Sequence, residues 1–251
     1  MSQPDSATPQ PQRLRLPLTR PRWVKVFLAV NVAVFAVMTL AGGTEDLDVL
    51  IRFGASSTSR IVQGEVWRLF TANFIHIGVL HLAFNTLALY SLGQEVEALF
   101  GSPRFIVMYL LTGLSGSIFS FGLGSGRGLS AGASTALFGL AGTLIAFFVR
   151  NRKHFGSIGV RHLYNTVGLV AINLFIGFSV PGIDNLGHLG GLIGGLILGW
   201  LLCPFYEVEA HPGEPQVVDR NSLRAEWRGI TLFVVLLIAG VLGGLARYAA
   251  F

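Results

Sequence analysis

Past residue 22 the chain is a succession of apolar stretches broken by short polar connections. Seven such stretches are each long enough, or nearly so, to cross a hydrocarbon layer of about 30 Å. They fall at 23–41, 75–99, 105–123, 133–149, 163–180, 187–202 and 230–248. No internal repeat is visible, and no polar stretch is long enough to fold as a separate soluble domain. Residues 1–22 are polar and hold Pro4, Pro9, Pro11, Pro17 and Pro21, which predicts a disordered tail and not a secretory signal or an amphipathic transit helix.

Composition agrees with this pattern. Of 251 residues, 52% are hydrophobic and 12% charged, where an ordinary soluble protein carries about 25% charged residues. The fold class expected is an all-α polytopic membrane protein. Cys203 is the single cysteine, so no internal disulfide can form. The net charge of +5 could suggest nucleic acid, but the placement of the charges explains it otherwise. With the N-terminus inside, alternate connections hold Arg13, Arg15, Arg20, Arg22, Lys25, Arg104, Arg150, Arg152, Lys153, Arg161, Arg220, Arg224 and Arg228. Only Arg52, Arg60, Arg68, Arg127 and Arg247 fall on the other side. Basic residues gather on the cytoplasmic side of membrane proteins. The expectation is therefore a cytoplasmic N-terminus, an outward C-terminus and no nucleic-acid partner.

Few polar groups lie at membrane depth, and such groups are usually functional. In the second span His81 and Asn85 stand four apart, on one helix face. His76 lies nearer the interface, where a solvated histidine would need no explanation. The sixth span carries His188 after Asp184. In the fourth, a glycine-rich run ends at Gly132-Ala133-Ser134 and an apolar helix begins. The even-numbered spans run in one direction, so His81, Ser134 and His188 share the outer half of the membrane. Two histidines could ligate a metal, but no carboxylate or cysteine lies at their depth to complete a site. Ser134 could instead be a plain helix cap. A second candidate, Ser115 in Gly113-Leu114-Ser115-Gly116, sits inside the third span, where backbone amides are already committed to the helix ladder and small residues serve packing.

These residues resemble the rhomboid intramembrane serine proteases. The elements are Trp67-Arg68, then His76, His81 and Asn85, Glu97 with Gly101, the G-x-S at Gly132–Ser134, and Gly187-His188 followed by Gly191 and Gly195. They occur in the family's order over residues 23–205. His81 and Ser134 are separated by 53 residues, Ser134 and His188 by 54. The resemblance implies a six-helix core at 23–205, a cytoplasmic linker at 206–229 and a seventh helix within 230–251. It implies a Ser134–His188 dyad, with His81, Asn85 and the Ser134 amide as an oxyanion hole. Gly191, Gly195 and Gly199 would let the sixth helix approach the fourth, and Phe138 would pack on the His188 ring. Trp67, Arg68 and Glu97 would be structural. One departure is Thr135, where the family usually has a second glycine.

The implied activity is hydrolysis of peptide bonds in or beside the transmembrane helices of substrate proteins, within the lipid bilayer and without a cofactor. The expected location is a cell membrane, bacterial cytoplasmic by this reading, with the site opening outward. An alternative is a rhomboid-like protein that binds membrane helices without cutting them. A transporter would need paired charges or inverted repeats near mid-membrane, and neither is present.

Overall fold

The chain is seen in a computed structural model that describes residues 16–209, 216–221 and 223–250. Helix α1 (Trp23–Leu40) is apolar enough to cross a membrane, but its own sequence provides no N-terminal cap. The free amides of its first turn are met from a distance. Glu97 accepts hydrogen bonds from the backbone N–H of Arg22, Trp23 and Val24 at 2.9–3.0 Å, and from Ser102 Oγ at 2.6 Å. A carboxylate at a helix N-terminus satisfies orphan donors and opposes the helix dipole. Residues 16–22, expected to belong to a disordered tail, run beside this junction, and Thr19 N–H donates to Ala98 O. Residues 1–15 of that tail lie outside the described residues.

The connection after α1 folds into α2 (Leu47–Phe53), strand β1 (Ser56–Ser57) and α3 (Thr58–Val62). Arg68 holds this layer together. It is buried, and donates to Ile51 O at 2.7 Å, Ala55 O at 3.1 Å and Glu65 Oε2 at 2.7 Å. The guanidinium keeps the Glu65 carboxyl below the usual carboxylate range.

Seven apolar segments are present among the described residues, and the second, bent, and the fifth, which starts at Arg152 and not at Leu163, differ most from expectation. The second is a bent unit. Its first arm is α4 (Arg68–Thr71) with a 3₁₀ turn at Ala72–Phe74. Its second is α5 (Gly78–Ala88), continued by a π turn at Leu89–Gly93 into α6 (Gln94–Phe100). The arms meet at 89°, so the helix proper begins at Gly78 and not at Ile75. The next segment is α7 (Ser102–Leu123), and strand β2 (Leu129–Ser130) then pairs antiparallel with β1. The fourth and sixth segments are α8 (Ser134–Arg150) and α10 (Asn185–Leu201), each of 17 residues. At 1.5 Å per residue they reach about 25 Å, short of the hydrocarbon thickness, so their N-termini can end inside the bilayer. Between them runs α9 (Arg152–Ser179), kinked at Gly156, and α11 (Trp227–Ala249) closes the bundle against α7.

Glycine sets the α8–α10 contact. A Cβ on Gly191 would strike Thr135 O, one on Gly195 would strike Gly139 O, and one on Gly199 would lie 2.6 Å from Thr143 Cα. Each step is four residues on both helices, so backbone meets backbone along three turns. Close approach of this kind is how small residues drive helix association in lipid.

The stretch expected to be a linker has structure of its own. Strands β3 (Tyr206–Glu209) and β4 (Gln216–Asp219) form an antiparallel hairpin, residues 210–215 lying outside the described residues. Asp219 pairs with Arg104, which ties the hairpin to the start of α7. Burial pushes the Tyr206 phenol up to about 12, and its hydroxyl donates to Leu99 O at 3.1 Å.

Candidate active site

Ser134 is the first residue of α8, and the N-cap position before it belongs to Ala133. The plain-cap reading therefore fails. The hydroxyl lies 2.9 Å from His188 Nε2 instead. Its own N–H, in the first helical turn, has no acceptor within the helix.

Local sequence explains how His188 reaches it. Asp184 caps α10 by accepting Gly187 N–H at 2.8 Å, which starts the helix at Asn185, three residues before the histidine. The same carboxylate accepts Ser120 Oγ at 2.8 Å and Ser130 Oγ at 2.7 Å. One side chain thus joins the end of α7, the strand leading to the nucleophile and the helix carrying the imidazole. The ring of His188 stacks on Phe138, with centroids 4.3 Å apart and planes 11° apart. Phe138 is one turn beyond Ser134, so α8 supplies both the hydroxyl and the platform that orients its partner. His188 Nδ1 is buried and has no hydrogen-bond partner among the described residues. Stacking, and not a carboxylate, fixes the ring plane.

His81 stands at the other side of the serine turn. Gly132 has φ +128°, and a Cβ there would lie 2.7 Å from His81 Nε2. Only glycine leaves room for that ring. Ile77 N–H points at His81 Nδ1, 3.3 Å away. With Nδ1 accepting, a neutral imidazole carries its proton on Nε2, the atom against Gly132. Asn85 is buried one turn further along, and its Nδ2 donates to His81 O at 2.8 Å, leaving the second amide hydrogen unassigned.

His76 departs from the solvated role expected of it. It is fully buried, and its Nε2 lies 3.4 Å from the Ala133 N–H, one residue before the serine. Ser115 donates to Gly190 O at 3.0 Å, a tie between α7 and α10. Asn73, which nothing in the sequence singled out, is buried beside the serine turn and accepts a hydrogen bond from Thr135 Oγ1 at 2.5 Å.

Ser134, His188 and Asn85 line one groove of about 410 Å³. Its walls come from α5 and its π turn (Phe84, Leu87, Leu92) and from α9 (Leu169, Val170, Asn173), with α8 as its floor. His81 lies beside it. Most of the lining is apolar. Hydroxyl, imidazole and amide donors converge at its base.

Known proteins resemble the chain strongly. The family model for the rhomboid domain matches residues 63–205. Rhomboid protease GluP of Bacillus subtilis (strain 168) is 46% identical over 177 residues, 70% of this chain and 34% of that protein. RHOMBOID-like protein 1 of Arabidopsis thaliana is 35% identical over 204 residues, 78% of this chain and 52% of that protein. Rhomboid-like protease 1 of Toxoplasma gondii is 32% identical over 188 residues, 70% of this chain and 63% of that protein. The chain thus spans between a third and just under two thirds of the length of these relatives. The matched region contains the bent second segment, the serine turn and the His188 helix, and the chain belongs to the rhomboid family.

Proposed function

We propose that the chain is an intramembrane serine endopeptidase acting through a Ser134–His188 dyad on transmembrane segments of other proteins. The observation that carries the reading is the 2.9 Å approach of His188 Nε2 to Ser134 Oγ at the base of an apolar groove.

Serine is a weak nucleophile until a base takes its proton. Ser134 Oγ attacks the scissile carbonyl carbon while its proton passes to His188 Nε2. Negative charge then develops on the carbonyl oxygen, where His81 Nε2–H, Asn85 Nδ2–H and the Ser134 N–H are the candidate donors. The imidazolium returns its proton to the leaving amine as the C–N bond breaks, leaving an ester on Ser134. Water, deprotonated by His188, hydrolyses the ester and restores the hydroxyl. A groove walled by α5 and α9 and lined by apolar side chains suits a membrane-borne substrate. A bond inside a helix must first unwind to expose its carbonyl, so substrates with helix-weakening residues near the cut are favoured. The charge distribution supports a cytoplasmic N-terminus, which turns the groove's polar base toward the outer face.

The test is cleavage of a model transmembrane substrate by purified protein in lipid. Wild type should cut, and Ser134→Ala and His188→Ala should not. Equal cutting by Ser134→Ala overturns the reading, and loss of cutting in Ser115→Ala with Ser134→Ala active would move the nucleophile to α7. A protein that binds the substrate but neither cuts it nor reacts with a fluorophosphonate is a helix-binding member of the family and not a protease.

A further inference from the structure

The bend between the two arms of the second segment does more than turn the chain. Three hydrogen bonds run from the serine turn to the short stretch Ala72–His76. Gly132 N–H donates to Ala72 O at 2.9 Å, Ala133 N–H approaches His76 Nε2 at 3.4 Å, and Thr135 Oγ1 donates to Asn73 Oδ1 at 2.5 Å. Residues before and after Ser134 are therefore held by one template, some sixty positions earlier in the chain.

Asn73 is the member with the most partners. Its Nδ2 donates to Leu69 O at 3.1 Å, Phe70 O at 3.2 Å and Ser117 Oγ at 3.1 Å, so its Oδ1 must face the Thr135 hydroxyl. Asn73 and Thr135 are both buried, where an unpaired polar group is costly. Space has been cleared for them. A Cβ on Gly113 would lie 2.6 Å from Asn73 Oδ1, one on Gly116 2.7 Å from Thr135 Cβ, and one on Gly187 2.9 Å from Thr135 Cγ2. Glycines on α7 and α10 make the cavity that a branched residue after the nucleophile needs.

We infer that Asn73 and Thr135 form a positioning pair for the nucleophile. The bond fixes the first turn of α8 against the Ala72–Phe74 turn, and so sets the direction of Ser134 Oγ and of the Ser134 N–H. Neither residue lines the groove. The bond tethers the residue after the nucleophile to a turn 62 positions earlier, and Asn73 is the other end of that tether. The inference rests on Ser134 being the nucleophile.

The experiment measures kcat and KM for a transmembrane substrate, fluorophosphonate labelling rate and thermal stability for Thr135→Val, Thr135→Ser, Asn73→Ala and the double variant Asn73→Ala/Thr135→Val. Ser134→Ala serves as control. Valine keeps the shape of threonine, so Thr135→Val should remain folded. Its kcat and labelling rate should both fall about tenfold, the equivalent of one hydrogen bond acting on the transition state, with KM changed less than about twofold. Thr135→Ser, which keeps the hydroxyl, should recover at least half of the rate. Asn73→Ala strands the buried hydroxyl and should fall further, and adding Thr135→Val to it should bring no additional loss. Wild-type kinetics in Thr135→Val, or equal losses in Thr135→Val and Thr135→Ser, overturn the positioning role. Those results leave the dyad intact so long as Ser134→Ala is inactive. If Ser134→Ala cuts like wild type, the dyad reading fails and the positioning pair falls with it.

Discussion

Two helix pairs border the groove, and they are built on opposite terms. In the α8–α10 pair, thirteen of the seventeen α8 residues are buried, and glycines bring the backbones into contact over three turns. In the α5–α9 pair, bulky side chains point away from the bundle. Of the 28 residues of α9 only Gly159, Thr166, Val170 and Gly177 are buried, while Ile172, Phe175 and Phe178 are exposed, as are Val79, Leu80 and Phe84 of α5. The tight pair carries Ser134 and His188, the two groups of the proposed dyad. The loose pair carries the groove walls. On that proposal, chemistry that depends on a fraction of an ångström sits where backbone meets backbone, and access sits where bulky side chains are exposed.

The largest effect should come from breaking the tight pair. Gly195→Val places two methyl groups where a single Cβ already strikes Gly139 O, and neither helix can yield without moving the other. Overpacking of this kind costs about 3 kcal/mol or more when backbone is the obstacle. Thermal unfolding in detergent should show a large fall in Tm and cleavage should vanish. The same change at Gly168 of α9, where an added Cβ would meet nothing within 4 Å, should leave Tm nearly unchanged. Equal sensitivity at the two positions would erase the contrast.

Next in size is Asn85→Ala, at the edge where the two pairs meet. Asn85 stands on the loose side but its amide is a candidate donor to the developing oxyanion. Removing one such donor typically lowers kcat by about 10²-fold. KM should change little, because the interaction forms in the transition state. A fall in KM-dependent binding with kcat intact would make Asn85 part of the groove wall only.

How much of this was readable beforehand follows the same division. The seven apolar segments show in the hydropathy pattern, and the fourfold glycine spacing on α10 announces its close neighbour, because both are properties of one stretch of chain. Ser134 could be preferred over Ser115 for a local reason too, since only the former starts a helix. What could not be read depends on which distant loops touch. Asn73 looks like any polar residue in Thr71-Ala72-Asn73-Phe74, and its value appears only when Thr135, 62 residues away, arrives beside it. His76 was misjudged by the same limit, as distance from the span centre says nothing about a covering loop. Asp184 carried a faint signal, an aspartate three residues ahead of a helical glycine, which is a cap pattern. Its bonds to Ser120 and Ser130 had no such trace. Arg104 and Asp219, 115 residues apart, were equally hidden.

A smaller effect is expected at Phe138, which belongs to both pairs. One face stacks on His188, and the side chain also packs with Val170 of α9. Phe138→Leu keeps an apolar filler but removes the flat platform. An aromatic pair contributes about 1 kcal/mol beyond its buried area, so kcat should fall by roughly fivefold. The loss should appear in labelling of Ser134 by a small fluorophosphonate as well as in cleavage, since the fault lies in the imidazole and not in access.

The smallest change in stability, and the sharpest test of the contrast, is Leu92→Ala. Leu92 is the contact from the π turn that packs onto the cluster of Phe138, Ala141 and Val170, and it lines the groove. Only partly buried, it should cost about 1–2 kcal/mol on truncation, less than a fully enclosed leucine. Truncation widens the space between α5 and α9 without touching Ser134, His188 or the glycine seam. If access is limiting, cleavage of a transmembrane substrate should rise, or at least hold, while labelling by a small fluorophosphonate stays at the wild-type rate. A parallel fall in both would mean that the loose wall also holds the dyad in place. The division between a rigid half for chemistry and an open half for entry would then be wrong for this protein.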